Sequence, residues 1–188
     1  MPFTDFFRQV PILETPRLLL RPFTYSDLPA YMAFFTDPDV QRWLGGIMIP
    51  KDETRQRQWV DNLNGRCLKA KLVLTWCVEG KETGYVIGRV DLGGFVRKSM
   101  ADLSYYFGKE HWGKGYASEA VCAVVAFGFA ELQLHRIQAT VMPENMASLR
   151  VLEKEGFVRE GLLRQTDFGT EFHDAWMLSI LADDFLRG

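Results

Sequence analysis

Three features of the amino-acid sequence predict a single mixed α/β domain. Strand-like runs separated by glycine-containing turns fill the middle of the chain, and two helical stretches in the second half each lead into a further strand. No internal repeat and no Pro/Gly/Ser-rich linker divides the 188 residues, a length that supports one sizeable core and is short for two.

In chain order, residues 15–22 (TPRLLLRP) read as a first strand closed by Pro22. Thr24 followed by Asp27 has the form of a capping box and starts a helix through about residue 36, with Tyr31, Phe34 and Phe35 on its apolar face; Asp37-Pro38 breaks it. Residues 51–68, rich in Arg and Gln, form a second helical stretch with Trp59, Val60 and Leu63 turned inward. Residues 71–78, 85–91 and 101–107 are short strands. Residues 117–132 read as a helix whose clearly polar members are only Ser118, Glu119 and Glu131, so it is expected to be packed nearly all round. A strand over 136–142, a helix over 146–155 ended by Gly156, and strands over 157–166 and 172–181 complete the chain. The expected sheet is mixed, with about seven strands and about four helices.

Composition narrows the function classes. The net charge is −2 and the basic residues are scattered, which leaves no basic stripe for a nucleic acid. Cys67, Cys77 and Cys122 lack a CxxC spacing and sit in apolar or helical runs, as buried free thiols of a reducing cytosol do. The N-terminus lacks the pattern of a signal peptide, and the longest apolar run, 120–130, is too short to span a bilayer. A soluble cytoplasmic protein is expected. His111 and His173 stand apart without metal-ligand spacing, so no metal is expected.

Two segments carry candidate chemistry. In His111-Trp112-Gly113-Lys114-Gly115-Tyr116-Ala117 a strand passes to a helix through a turn with two glycines, whose backbone is free to curl and to approach a ligand closely. The helix then directs its unbonded N–H groups and positive dipole end at the turn, an arrangement that holds phosphate without basic side chains. The same turn also suits a plain strand-to-helix connection. The second segment, Asn145-Met146-Ala147-Ser148, opens a helix for which Asn145 is an N-cap. One helix and one strand separate the two turns, so both fall at the C-terminal ends of neighbouring strands, where open α/β sheets bind ligands.

WGKGYASEAV (112–121) and NMASLRVLEKEGF (145–157) resemble the two signatures of the GNAT superfamily of N-acetyltransferases. LETPRLLLRPF (13–23) and EGLLRQ (160–165) are similar to the RimJ/RimL-like branch, which acetylates the N-termini of ribosomal proteins. The resemblance covers residues 13–185 and implies a mostly antiparallel sheet whose central pair of strands splays into a cleft. It implies acetyl-CoA as cosubstrate, with pantetheine along the strand of Tyr106 and Phe107, the pyrophosphate on Gly113, Lys114, Gly115, Tyr116 and Ala117, and Trp112 and Ser118 beside them as further cofactor-binding residues. Asn145 and Ser148 would line the opposite wall, and a main-chain N–H near Phe107 would polarise the thioester carbonyl. By analogy with the ribosomal branch, Ser148 protonates the departing thiolate and Asp167 accepts the amine proton. Each of these residues also has a plainer role open to it: donor contact alone for Ser148, and a turn position for Asp167. Glu119 reads as a structural carboxylate facing the helix dipole.

Two positions depart from the family pattern. Trp112 stands where many relatives have Gln or Arg, so no cation reaches the pyrophosphate from there. Leu152 stands where some relatives have an acid tyrosine, which excludes that group at that position. The expected partners are acetyl-CoA and an amine acceptor, with no nucleic acid and no membrane, in a monomer or homodimer. Three readings stay open: a protein N-terminal α-amine as acceptor, a small amine such as a polyamine, amino acid or antibiotic, or a non-catalytic acyl-CoA-binding module. The resemblance places the acceptor side at residues 45–51 and 167–173, with Trp43 bordering its mouth; Asp52, Glu53, Asp167 and Glu171 are compatible with the carboxylate-lined mouth that a ribosomal or polyamine acceptor favours, and are not diagnostic of it.

Overall fold

In the computed structural model, residues 3–44, 52–97, 99–168 and 171–186 are described. Eight strands form one sheet in the order β1-β2-β3-β4-β5-β6-β8-β7. They are β1 (Leu13–Glu14), β2 (Leu18–Arg21), β3 (Val73–Gly80), β4 (Tyr85–Val96), β5 (Met100–Phe107), β6 (Arg136–Val141), β7 (Val158–Asp167) and β8 (Phe172–Leu181). The described helices are α1 (Leu28–Phe35), α2 (Pro38–Gln41), α3 (Glu53–Asp61), α4 (Tyr116–Ala130), α5 (Met146–Lys154) and α6 (Ala182–Phe185).

The fold class is the one expected, with eight strands rather than about seven and six α-helices rather than about four. The additions are short pieces: a two-residue β1 beside β2, and the four-residue α2 and α6. The expected first strand shrinks to Leu18–Arg21, because Thr15 turns the chain there by accepting the Leu18 N–H on its hydroxyl. The 24–36 helix begins as a 3₁₀ turn over Tyr25–Asp27, and the Asp27 carboxylate accepts the Thr24 N–H at 2.7 Å, as the capping signal predicts. Asp52 caps α3 by accepting the Arg55 N–H, and the helix widens into a π turn over Asn62–Cys67.

Alternation along the strands sends side chains to two apolar layers. Leu74, Trp76, Val78, Leu103 and Phe107 pack with α4 and α5, whereas Cys77, Val86 and Tyr106 pack with α1 and α3 through Tyr31, Phe34, Phe35 and Trp59. Arg21, between Asp27 and Glu79, ties the start of α1 to β2 and β3. Helix α4 buries Ala120, Val121, Val124, Val125, Phe127 and Gly128 but leaves Cys122 exposed, so it is packed on one broad side rather than all round. The expectation of three buried thiols therefore holds only for Cys77, since Cys67 is half-buried. No helix among the described residues is long and apolar enough to cross a membrane.

The centre of the sheet breaks its own pattern. Every strand pair among the described residues is antiparallel except β5 and β6, which run parallel and pair only at Met100–Arg136, Ala101–Ile137 and Asp102–Gln138. Beyond that point β5 stays with β4 as far as Phe107 opposite Gly88, and β6 stays with β8 as far as Val141 opposite Trp176. The sheet forks, and the facing edges of Leu103–Phe107 and Ala139–Val141 carry main-chain groups with no strand between them.

Candidate active site

Sequence dictates how one prong of the fork ends. The Gly108 N–H returns to the Ile87 carbonyl at 3.0 Å, a 3₁₀ turn spans Lys109–His111, and the chain then crosses Gly113 (φ 71°) and Gly115 (φ 80°) into α4. Both glycines occupy the left-handed region that disfavours side chains. The first bond of α4 runs from the Glu119 N–H to the Gly115 carbonyl, so the N–H groups of Tyr116, Ala117 and Ser118 point out of the helix end. They form a donor cluster at the positive end of a fifteen-residue helix.

Trp112 has a role that its lack of charge conceals. Its indole N–H donates to the Phe107 carbonyl at 2.8 Å, pinning the turn to the end of β5. Phe107 is buried, and its ring and the Tyr106 carbonyl lie where Gly88 would carry a Cβ, each at 2.6 Å. Any side chain at Gly88 would thus push β4 off β5. Tyr106 turns its ring to the α1/α3 face, away from the fork's main core layer. The Ser118 side chain is likewise buried and leaves only its N–H to the turn.

The other prong leads to α5. The Asn145 carbonyl oxygen caps the helix by accepting the Ser148 N–H at 3.1 Å, which leaves the Asn145 amide donors available. Ser148 meets a residue that no sequence motif marks. The Tyr105 hydroxyl lies 2.8 Å from Ser148 Oγ and also donates to the Ser148 carbonyl. Burial pushes the Tyr105 hydroxyl well above the ordinary phenol range, so it stays protonated at neutral pH. Tyr105 alternates with neighbours along an apolar strand and packs against the main core, which makes it read as plain core in sequence.

The fork thus brings together Tyr105, Phe107, Trp112, Gly113, Lys114, Gly115, Tyr116, Ala117, Ser118, Asn145 and Ser148. Asp167 stands elsewhere, exposed at the end of β7 and paired with Phe172. Phe172 lies four residues along β8 from Trp176, so the hairpin overhangs the end of β6 by about 13 Å. On the α1/α3 face, Asp91 accepts from Thr75, Arg89 and Ser104, a buried pairing that occupies its carboxylate. Trp43 lies half-buried beneath the Arg42 guanidinium, and residues 45–51 lie outside the described residues. His111 rests edge-on against Tyr116, and burial lowers its pKa; His173 meets Glu171. Among the described residues no cluster of His, Cys, Asp and Glu has a metal-holding arrangement.

Chemically, a gap between two strand edges accepts an extended chain through main-chain hydrogen bonds. A helix N-terminus at its mouth accepts the anion that such a chain carries, and a hydroxyl pair stands on the opposite side. Residues 17–158 match the model of the acetyltransferase (GNAT) domain. An uncharacterised N-acetyltransferase of Bacillus subtilis, YoaA, is 36% identical over 156 residues, 82% of this chain and 87% of its own. RimJ of Mycobacterium smegmatis, solved with CoA-disulfide, superposes with a TM-score of 0.79 at 25% identity, covering 93% of this chain and 88% of its own. Spermidine N-acetyltransferase of Vibrio cholerae, solved with CoA and spermine, gives 0.76 at 22% identity over 92% and 99% of the two chains, a likeness of fold alone. The chain therefore belongs to the GNAT acetyltransferase family, as an enzyme that transfers acetyl groups from acetyl-CoA.

Proposed function

We propose that this enzyme acetylates a protein N-terminal α-amine by direct attack in a ternary complex, with Ser148 as proton donor and Asp167 as proton acceptor. The observation that carries the reaction is the fork itself, with unpaired edges at Leu103–Phe107 and Ala139–Val141, helix-end N–H groups at one side and Ser148 at the other. Pantetheine lies along β5, and the pyrophosphate lies on the N–H groups of Gly113 to Ser118. A main-chain N–H near Phe107 polarises the thioester carbonyl.

The amine nitrogen attacks the carbonyl carbon, the new C–N bond forms, and the C–S bond breaks. The thiolate takes the Ser148 proton, held in place by Tyr105, and Ser148 is reprotonated from water as products leave. The proton lost by the amine passes to Asp167, directly or through water at the rim. Alignment of the two reactants supplies much of the rate.

An α-amine suits this site because a tenth or more of it, roughly, is already neutral at pH 7, against about a thousandth for a lysine-type amine. An exposed carboxylate at the hairpin end is then base enough. The resemblance of residues 13–23 and 160–165 to the ribosomal-protein N-terminal acetyltransferase branch supports the same acceptor class. The cysteines are free, as in a reducing cytoplasm.

The test is acetyl-CoA turnover with a panel of N-terminal peptides beside spermidine, free amino acids and aminoglycosides. Preferred turnover of peptides is expected. Preference for a polyamine or another small amine replaces the acceptor, and CoA binding without turnover of any amine leaves a binding module.

A further inference from the structure

Position 112 offers the turn no cation, yet a guanidinium reaches it from the opposite end of the chain. Arg17, between β1 and β2, donates from Nη1 to the Lys114 carbonyl at 2.9 Å and from Nε to Glu119 Oε2 at 2.6 Å. Its guanidinium carbon lies 4.6 Å over the centre of the Tyr116 ring, and Nη2 is 3.3 Å from where a Cβ on Gly115 would stand. The other oxygen of Glu119 accepts the Thr15 hydroxyl at 2.6 Å and the Arg17 main-chain N–H at 2.9 Å. One carboxylate in the first turn of α4 therefore clamps Thr15 and Arg17, and Arg17 clamps the turn.

The Lys114 carbonyl and the Gly115 N–H belong to one peptide plane, and in a trans peptide they point in opposite directions. Drawing that carbonyl onto Arg17 aims the Gly115 N–H away from it, into the open side of the turn. Glu119 balances the Arg17 charge at hydrogen-bond distance, so the guanidinium is not a free counter-ion for phosphate. We infer that Arg17, held by Glu119 and Thr15, is a positioning residue for donor binding that fixes the peptide planes of the pyrophosphate turn. The inference rests on the acetyl-CoA reading of that turn.

The test titrates CoA calorimetrically into wild type, Arg17→Ala, Arg17→Lys and the double variant Arg17→Ala/Glu119→Gln. Pantetheine, which lacks the pyrophosphate, is titrated in parallel, and thermal unfolding of each free protein is recorded. Arg17→Ala is expected to weaken CoA about tenfold, the loss of a charge-assisted brace, with pantetheine binding unchanged. Lysine restores little, because a single ammonium cannot reproduce the planar fork that holds Glu119 and the Lys114 carbonyl together. The double variant weakens CoA no further than Arg17→Ala, since both groups serve one network. Should Arg17→Ala not fold, the Arg17→Lys comparison decides the matter by the same CoA-against-pantetheine split. Unchanged CoA affinity, or equal losses for CoA and pantetheine, overturns the inference. Wild type that binds no CoA overturns the donor reading first and this inference with it.

Discussion

The Tyr105 hydroxyl stands 2.8 Å from Ser148 Oγ and so joins β5 to α5 over the fork. When the single Tyr105 proton turns from the Ser148 carbonyl to Ser148 Oγ, the serine proton is left free to face a departing thiolate. Ser148→Ala is expected to lower kcat by about 10²-fold, within the usual range for a positioned proton donor. Tyr105→Phe should lower kcat less, by about three- to tenfold, because it misorients the donor without removing it. CoA affinity should change little in both. Full kcat in Ser148→Ala would remove Ser148 from the chemistry.

Asp167 is best tested through pH. An α-amine acceptor loses its proton to water near pH 7.7–8, so the benefit of a base is greatest below roughly that range. Asp167→Asn should therefore run slowest relative to wild type near pH 6, and the two profiles should converge above about pH 8. CoA affinity should stay the same. Superimposable profiles across the range from about pH 6 to about pH 9 would eliminate the base role.

The two turn glycines should differ. Gly113 has open space around its missing Cβ, whereas Gly115 faces the Arg17 guanidinium; both have positive φ. Gly113→Ala should cost about 1–2 kcal/mol of backbone strain alone. Gly115→Ala adds displacement of Arg17, and Gly115→Asp adds a negative charge against the pyrophosphate and should abolish CoA binding. Calorimetry that finds the wild-type affinity in Gly115→Asp would refute the turn as the pyrophosphate site.

Stability should fall on the acid side. Burial opposes the charges of Asp27 and Glu119, but hydrogen bonds outweigh it and hold both carboxyls below their ordinary range: Arg21 and Thr24 donate to Asp27, and Thr15 and Arg17 to Glu119. Glu160, gripped by Arg136 and Ser179, drops from 4.5 to about 2. A carboxyl whose pKa is lower in the folded state binds fewer protons there than in the unfolded chain. Its stabilisation is therefore complete above the unfolded value and is lost as pH falls through the folded one. The melting temperature should hold from neutrality to about pH 5 and then decline toward about pH 2. Glu160→Gln should flatten the part of that decline between about 4.5 and about 2, modestly, since the Arg136 pair is partly exposed and salt screens it. An unaltered acid limb in that variant would discount the pair.

The sequence by itself determined what is local. Glycine pairs, the Asn145 cap and the Thr24/Asp27 box fixed where elements begin and turn. Apolar periodicity fixed which segments are helix or strand, and the joint order of the two signatures fixed the family. These signals were legible because each depends on neighbours within a few residues. What the tertiary structure alone decided lies between segments far apart in the chain. Arg17 meets Glu119 across 102 positions, and Tyr105 meets Ser148 across 43. Neither partner's spacing carries a signal, because a hydrogen bond constrains where two side chains meet and not how much chain separates them. The exposure of Cys122 and the depth of the fork belong to the same class: both depend on which surfaces α4 and β6 cover, and sheet order sets that.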